Sequence, residues 1–144
     1  WIIPSQTSGL KRKKDDLEND HLIPSTPEIN FLMSKVREIS GWQKYCFYSL
    51  GGKNKEHLGE ETINDHFKNL GWKNIQSAHQ WRSVITTSAI EHSEFSYEII
   101  DRQLGRMGHL NGTRGHYDRS NLLDKRRKFM EWWSKTLIEQ GLII

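Results

Sequence analysis

Ser77-Ala78-His79-Gln80-Trp81-Arg82 opens, and Gly115-His116-Tyr117-Asp118-Arg119 closes, the stretch on which the reading of this chain turns. Behind the first segment, Trp81, Val84, Ile85 and Ala89 recur at helical spacing, which predicts a helix over 77–90 with Ser77 as its cap. On such a helix His79 and Arg82 project from one flank, about a turn apart. The second segment sets Tyr117 among basic residues, in a loop punctuated by Gly108, Gly112 and Gly115. An imidazole, a guanidinium and a phenol that converge suit nucleophilic attack on a phosphodiester. Arg forks onto phosphate oxygens, His relays a proton, and Tyr can form a covalent intermediate. Any chain of this size holds such a trio, so its weight depends on the sequence around it.

Outward from this stretch the chain reads as mainly α with a small N-terminal β-hairpin, one domain or part of one over 1–144. Trp1-Ile2-Ile3 has the β-branched and aromatic content of a strand, Pro4 ends it, and His21-Leu22-Ile23 is the expected return strand. The tip between them carries Lys11-Arg12-Lys13-Lys14. Thr26 and Pro27 mark a helix start, with Thr26 as N-cap. Ile29, Leu32, Met33, Val36 and Ile39 predict an amphipathic helix over 27–40 whose stripe is core. Tyr45-Cys46-Phe47-Tyr48 reads as a strand or a buried connector. A second helix is expected over 62–70, with Ile63, Phe67 and Leu70 inward and Gly71 as C-cap. A fourth helix follows over 96–106 (Tyr97, Ile99, Ile100, Leu104), and the last over 121–139 (Leu122, Phe129, Trp133, Leu137). Of the adjacent Trp132 and Trp133, Trp133 is the expected core residue, and Trp132 covers a neighbouring surface or stacks outside it.

The totals exclude some classes. At 144 residues, 35% of them hydrophobic and with six Trp, the chain can bury a core and is not a disordered tail. The net charge of +3 is mild, but residues 102–128 hold eight Arg or Lys against two Asp, a local excess of +6. That balance suits either a phosphate-reading face or a solvated helix surface. One cysteine, Cys46, excludes an internal disulfide and fits a reducing compartment. His109 and His116 lack the ligand company a zinc site needs, so no metal is expected. No stretch approaches the roughly 18 apolar residues of a membrane span. With neither a start Met nor a basic leader, the chain is expected to be cut from something larger.

The order of parts resembles the catalytic domain of phage integrases, members of the tyrosine recombinases (DNA breaking-rejoining enzymes), and most of all the P4-like branch. The segments that carry the resemblance are Ser77 to Arg82, Tyr97-Glu98-Ile99-Ile100-Asp101-Arg102-Gln103-Leu104 and Tyr117-Asp118-Arg119-Ser120. The tail Asp124-Lys125-Arg126-Arg127-Lys128-Phe129-Met130-Glu131-Trp132-Trp133 continues it. Upstream, Trp1-Ile2-Ile3-Pro4 and His21-Leu22-Ile23-Pro24 are similar to the family's lysine-bearing hairpin. The resemblance spans almost the whole chain and is tight from about Trp72 onward.

It implies a partial tyrosine recombinase fold and site-specific DNA integration without metal or other cofactor. Tyr117 would be the nucleophile that forms a 3′-phosphotyrosine and frees a 5′-hydroxyl. Arg82 would clamp the non-bridging oxygens and His79 would assist proton movement. Lys11 would be the general acid, with Lys13 and Lys14 near-equal alternatives. The family's second His or Trp falls where this chain reads Leu104-Gly105-Arg106-Met107-Gly108-His109, so either Arg106 or His109 fills it. The family's first Arg precedes the hairpin and is not in this chain. The resemblance further implies that Lys13, Lys14, Arg114, Arg119, Lys125 and Arg126 meet DNA. Implied partners are double-stranded attachment sites and further copies on DNA, in the cytoplasm and at the nucleoid of a bacterial host, with no membrane.

The alternative is a catalytically incompetent fragment or decayed copy that binds DNA without cutting it. The missing first Arg and the Leu104-Gly105-Arg106 box favour it for the isolated chain, which is expected to be inactive. His79, Arg82 and Tyr117 favour the enzyme for its parent. A type IB topoisomerase-like relaxase shares the chemistry, but the tail is closer to integrases.

Overall fold

The computed structural model describes residues 1–7, 20–49, 56–59, 61–106 and 122–144. Among these the chain is mainly helical with one two-stranded sheet, as its sequence predicts. It divides into two compact units, one of Trp1–Thr26 with Ile85–Ile144 and the other of Pro27–Val84.

The first unit holds the core. Strands β1 (Ile2–Ile3) and β2 (His21–Leu22) pair antiparallel, with Ile2 opposite Leu22 and Ile3 opposite His21. Ile23 N–H donates to Trp1 O at 2.7 Å and extends the pairing by one residue. Four helical segments follow the hairpin's return in chain order across the protein: α1 (Pro27–Ser40), α2 (Thr62–Phe67), α3 (Trp81–His92) and α4 (Tyr97–Gln103), before the long α5 (Leu123–Glu139). Ile85 and Ala89 of α3, Ile99 and Ile100 of α4 and Phe129 of α5 are buried together. Phe95, Leu104, Leu122, Met130, Trp132 and Trp133 pack around them.

The sequence of α5 dictates this. Arg126, Phe129, Met130, Trp133, Ser134 and Leu137 fall on one helical stripe, and the strong helix formers between them face water. Phe129 is completely buried, edge-on to Phe95 (centroids 5.3 Å apart) and stacked on Trp132 (5.9 Å). Trp132 thus joins Trp133 against the core, where the sequence puts Trp133 alone. Its neighbour Phe95, in the α3–α4 connection, supplies the second face. At the far end Gly141 takes φ +99°, its N–H donates to Ile138 O (3.0 Å), and Leu142 N–H donates to Leu137 O (2.9 Å). This pair of bonds satisfies two of the last carbonyls, which only a left-handed residue permits.

Polar contacts seat the hairpin on α4 and α5. Arg126 donates from Nε to Gln103 Oε1 (2.9 Å) and from Nη2 to the Leu22 carbonyl. Arg127 Nη1 donates to Ser25 O at 2.8 Å, and Thr26 Oγ1 lies 3.3 Å from Ser134 Oγ.

In the second unit α1 starts at Pro27, as its fixed φ favours. Its apolar stripe is not a closed core: Ile29, Met33 and Val36 are half-buried, and Leu32 and Ile39 are exposed. Helical periodicity locates the helix without saying what covers its face. The Ser40 hydroxyl lies within reach of both Val36 O (3.0 Å) and Cys46 O (2.6 Å) and turns the chain after α1. Tyr48 and His57 form an isolated bridge, and Phe47 is exposed, so the expected strand or buried connector is a bent surface segment. Helix α2 ends at Phe67 and passes into a π-helical turn, Lys68–Trp72, closed by Gly71 at φ +85°. Gly71 therefore ends the helix as expected, while Ile63 and Leu70 point to water. Phe67 stacks on Trp72 at 6.1 Å.

Phe129→Ala is expected to lower the unfolding free energy by about 3–5 kcal/mol, because it empties the centre of the only fully buried cluster among the described residues. Trp42→Ala, at a residue 71% exposed, should stay within about 0.5 kcal/mol. Urea unfolding of both variants checks the contrast.

Candidate functional site

Helix α3 begins at Trp81, four residues later than the sequence suggests. Residues 77–80 form a turn in which Gln80 N–H donates to Ser77 O at 3.1 Å, with Ser77 Oγ at 3.4 Å. A serine hydroxyl oxygen that shares this N–H competes with the helix for these residues. His79 is thus exposed in the turn, and Arg82 is half-buried in the first turn of the helix. They do not share a helical flank; the Arg82 N–H donates to the His79 carbonyl at 3.1 Å and sets their spacing. Asn64 Oδ1 accepts from Ala78 N–H at 3.0 Å and ties the turn to α2.

The end of α4 is shaped by the Leu104-Gly105-Arg106 box. The helix stops at Gln103, not Arg106, and Gly105 takes φ +68°. Gly105 N–H donates to Arg102 O (3.2 Å) and Arg106 N–H donates to Asp101 O (2.8 Å). This is the glycine-closed helix end that leaves the next residue bent back along the axis. Arg106 accordingly returns over α4: Nη1 lies 3.2 Å from Thr86 Oγ1 of α3 and 3.5 Å from Asp101 Oδ1. Its side chain remains 39% exposed. The guanidinium is held through Nη1, and Nε and Nη2 have no partner among the described residues.

Two other arginines, Arg102 and Arg126, lie inside. Arg102 is 9% exposed, with Nε and Nη2 both 3.0 Å from Glu98 Oε1. Arg126, expected at the DNA surface, is 2% exposed and bonded to Gln103 and Leu22. Its place on the stripe of α5 overrides its charge, and it presents no face to a phosphate. Lys125, one residue earlier, is exposed. The expected site residues Lys11, Lys13, Lys14, His109, Arg114, Tyr117 and Arg119 lie outside the described residues. Of the expected catalytic set, His79 and Arg82 belong to the second unit and Arg106 to the first.

The sequence reading overlooked His21, Asp101 and Thr86. The Leu-Gly step after a helix could have revealed the bent-back Arg106. Thr86 stands four residues beyond Arg82, one turn along α3. Two lysines are held above their ordinary range, Lys44 by its hydrogen bond to Glu56 and Lys68 by that to Asp65. Both pairs are surface contacts of the second unit. No group of His, Cys, Asp and Glu among the described residues could hold a metal ion, and no described helix is long and apolar enough to cross a membrane.

The comparisons with known proteins agree among themselves. The chain is 29% identical over 143 residues to the integrase of Shigella phage Sf6, covering 96% of this chain and 34% of that protein. It is 26% identical over 134 residues to the prophage integrase IntA of Escherichia coli K12, covering 93% and 30%. It is 24% identical over 144 residues to the integrase of Enterobacteria phage P4, covering 95% and 33%. Each of these relatives is named an integrase of a phage or prophage, and the chain is similar to them over nearly its whole length. It spans about a third of the length of these relatives. No family model matches it, and no solved structure does.

Arg126→Ala is expected to destabilise the fold by at least about 1–3 kcal/mol, since it leaves two buried acceptors unmet. It should leave the salt dependence of duplex binding unchanged. Lys125→Ala should do the reverse, with stability within about 0.5 kcal/mol and a salt slope smaller by about one. Urea unfolding and anisotropy titrations at several salt concentrations separate the two; a reduced slope for Arg126→Ala would count against the buried assignment.

Proposed function

We propose that residues 1–144 are the catalytic portion of a longer integrase that recombines DNA at specific sites through a phosphotyrosine, on a tyrosine recombinase fold. The observation that carries this is the match of 93–96% of the chain to proteins named integrases, over a sequence that holds His79, Arg82 and Tyr117 in the expected order. Arg106 supports it further. A half-exposed guanidinium anchored by one nitrogen can turn its other nitrogens to a phosphate without reorganising when charge develops.

In the proposed reaction Tyr117 Oη attacks the scissile phosphorus, forming a bond to the 3′-phosphate as the bond to O5′ breaks. An unperturbed Tyr titrates near pH ~10, so it needs cations and a base close by to attack at neutral pH. His79 takes part in the proton movement, and Arg82 and Arg106 pair with the non-bridging oxygens. For the position that Arg106 or His109 could fill we take Arg106, a choice supported by the contact of its side chain with Thr86 of α3. Lys11, Lys13 or Lys14 gives a proton to the departing 5′-oxygen. A 5′-hydroxyl of a partner strand then reverses the steps and frees Tyr117, so no external energy source is needed. Double-stranded attachment sites and further copies of the integrase are the partners, in the cytoplasm of the host. Binding rests on phosphate contacts from Arg114, Arg119, Lys125, Lys13 and Lys14.

In the intact integrase Tyr117→Phe should abolish the covalent protein–DNA adduct on a nicked suicide duplex while leaving folding and DNA binding nearly unchanged. Arg82→Ala should slow adduct formation by about 100-fold or more, the loss expected when a preorganised charge is removed from a transition state. Denaturing electrophoresis reads both, and an adduct mapped to any other tyrosine would defeat the assignment.

The hairpin acid has its own test. A substrate with sulfur at the 5′-bridging position needs no proton to leave, so it should restore cleavage to the variant of the true acid among Lys11→Ala, Lys13→Ala and Lys14→Ala. Failure to restore any of the three would remove lysine from the mechanism.

A further inference from the structure

The geometry points to His21 as a positioning residue for Arg106, acting through the end of α4; this rests on the reading of Arg106 as a phosphate ligand. Helix ends leave their last carbonyls without intrahelical donors. At the end of α4, Leu104 N–H donates to Ile100 O, Arg106 N–H to Asp101 O and Gly105 N–H to Arg102 O. The Gln103 carbonyl lies beyond these bonds, and His21 Nε2 stands 3.2 Å from it. A carbonyl only accepts, so His21 carries its proton on Nε2 in this contact. The imidazole is 5% exposed, and β2 brings it there from 82 residues away in sequence.

Gln103 is gripped at a second point. Its Oε1 accepts from Arg126 Nε, and Arg126 also donates to Leu22 O, the residue after His21. Strand β2 therefore touches Gln103 directly through His21 and indirectly through Arg126. The same ring faces Gly105, where an added Cβ would stand 3.6 Å from His21 Nε2. One residue further is Arg106. The ring thus bounds both the last helical carbonyl and the left-handed residue whose φ aims Arg106 at Thr86 and Asp101. An apolar side chain could fill this space, but it would leave the Gln103 carbonyl without its donor. Only a donor at this point defines where the helix end sits, and small misplacements of a phosphate ligand reduce rate strongly.

The test uses the intact integrase and single-turnover adduct formation, at saturating protein, on a nicked suicide duplex spanning the integration junction of its own element. His21→Phe should slow the reaction about tenfold, while His21→Gln, whose amide keeps a donor near the Nε2 position, should stay within about threefold of the unaltered protein. In an Arg106→Ala background His21→Phe should add less than about twofold, because the residue it positions is gone. Gly105→Ala provides a second route: it disturbs the same turn by backbone strain at positive φ, and its effect should likewise fade without Arg106. Equal fold losses with and without Arg106 would overturn the proposal and leave His21 a packing residue, as would unaltered rates for both His21→Phe and Gly105→Ala. If Arg106→Ala alone reacts at the unaltered rate, the proposal also falls. Failure of the phosphotyrosine reading shows separately, as an adduct that survives Tyr117→Phe.

Discussion

A guanidinium inside the protein is the constraint on which the first unit depends. Arg126 cannot reach water from its place on the buried stripe of α5, and a buried charge without acceptors costs several kcal/mol. Acceptors must therefore come to it. Gln103 offers one from α4 and Leu22 another from β2, so a residue of the last helix, the end of the fourth and the returning strand meet at one point. A pair of two-residue strands is marginal alone. Here the hairpin gains its seat from this bond, from Arg127 on Ser25 and from Thr26 beside Ser134.

The site inherits its geometry from that node. Gln103 is held by its side chain and by its carbonyl, and Gly105 turns the chain directly after it. Arg106 can then fold back onto α4 and reach Thr86 of α3. Apolar burial among Ile85, Ala89, Ile99, Ile100 and Phe129 sets which helices touch, but it is indifferent to small slides along their axes. Directional bonds at the helix end resist such slides, which matters if Arg106 is to meet a phosphate as proposed.

How much of this was legible follows from where the physics is local. The hairpin, the start of α1 at Pro27 and the extent of α5 were readable, because strand composition, a fixed proline φ and an unbroken helical stripe act within a few residues. The start of α3 was not. Ser77 offered two local options, a helix cap or a turn, and the turn places His79 outside the helix. The inward face of α1 was misread because periodicity carries no information about what covers Leu32 and Ile39. Trp132 was misread because its partner Phe95 lies in a connection and shares no periodicity with α5. The resemblance puts Arg126 at DNA, whereas its register with Phe129 and Trp133 puts it on the buried side. Residue roles rested instead on the order His79, Arg82, Tyr117 and on the resemblance it supports.

The buried arginines also change what the basic stretch can do. Eight Arg or Lys between residues 102 and 128 suggested a phosphate-reading face. Arg102 is occupied by Glu98 and Arg126 by Gln103 and Leu22, both away from water. Arg127 keeps one nitrogen on Ser25 O. Each such residue still adds to the long-range field that would act on the DNA partner proposed above. What it loses is the capacity to displace a counterion at a phosphate, since that requires close approach. For the proposed DNA partner, the net charge of this region therefore bears on encounter more than on close phosphate contact. Arg106 differs from the buried pair by a single turn of backbone: the positive φ of Gly105 carries it out of the helix before the core can enclose it. One glycine thus separates an arginine that organises the fold from one that can face a substrate.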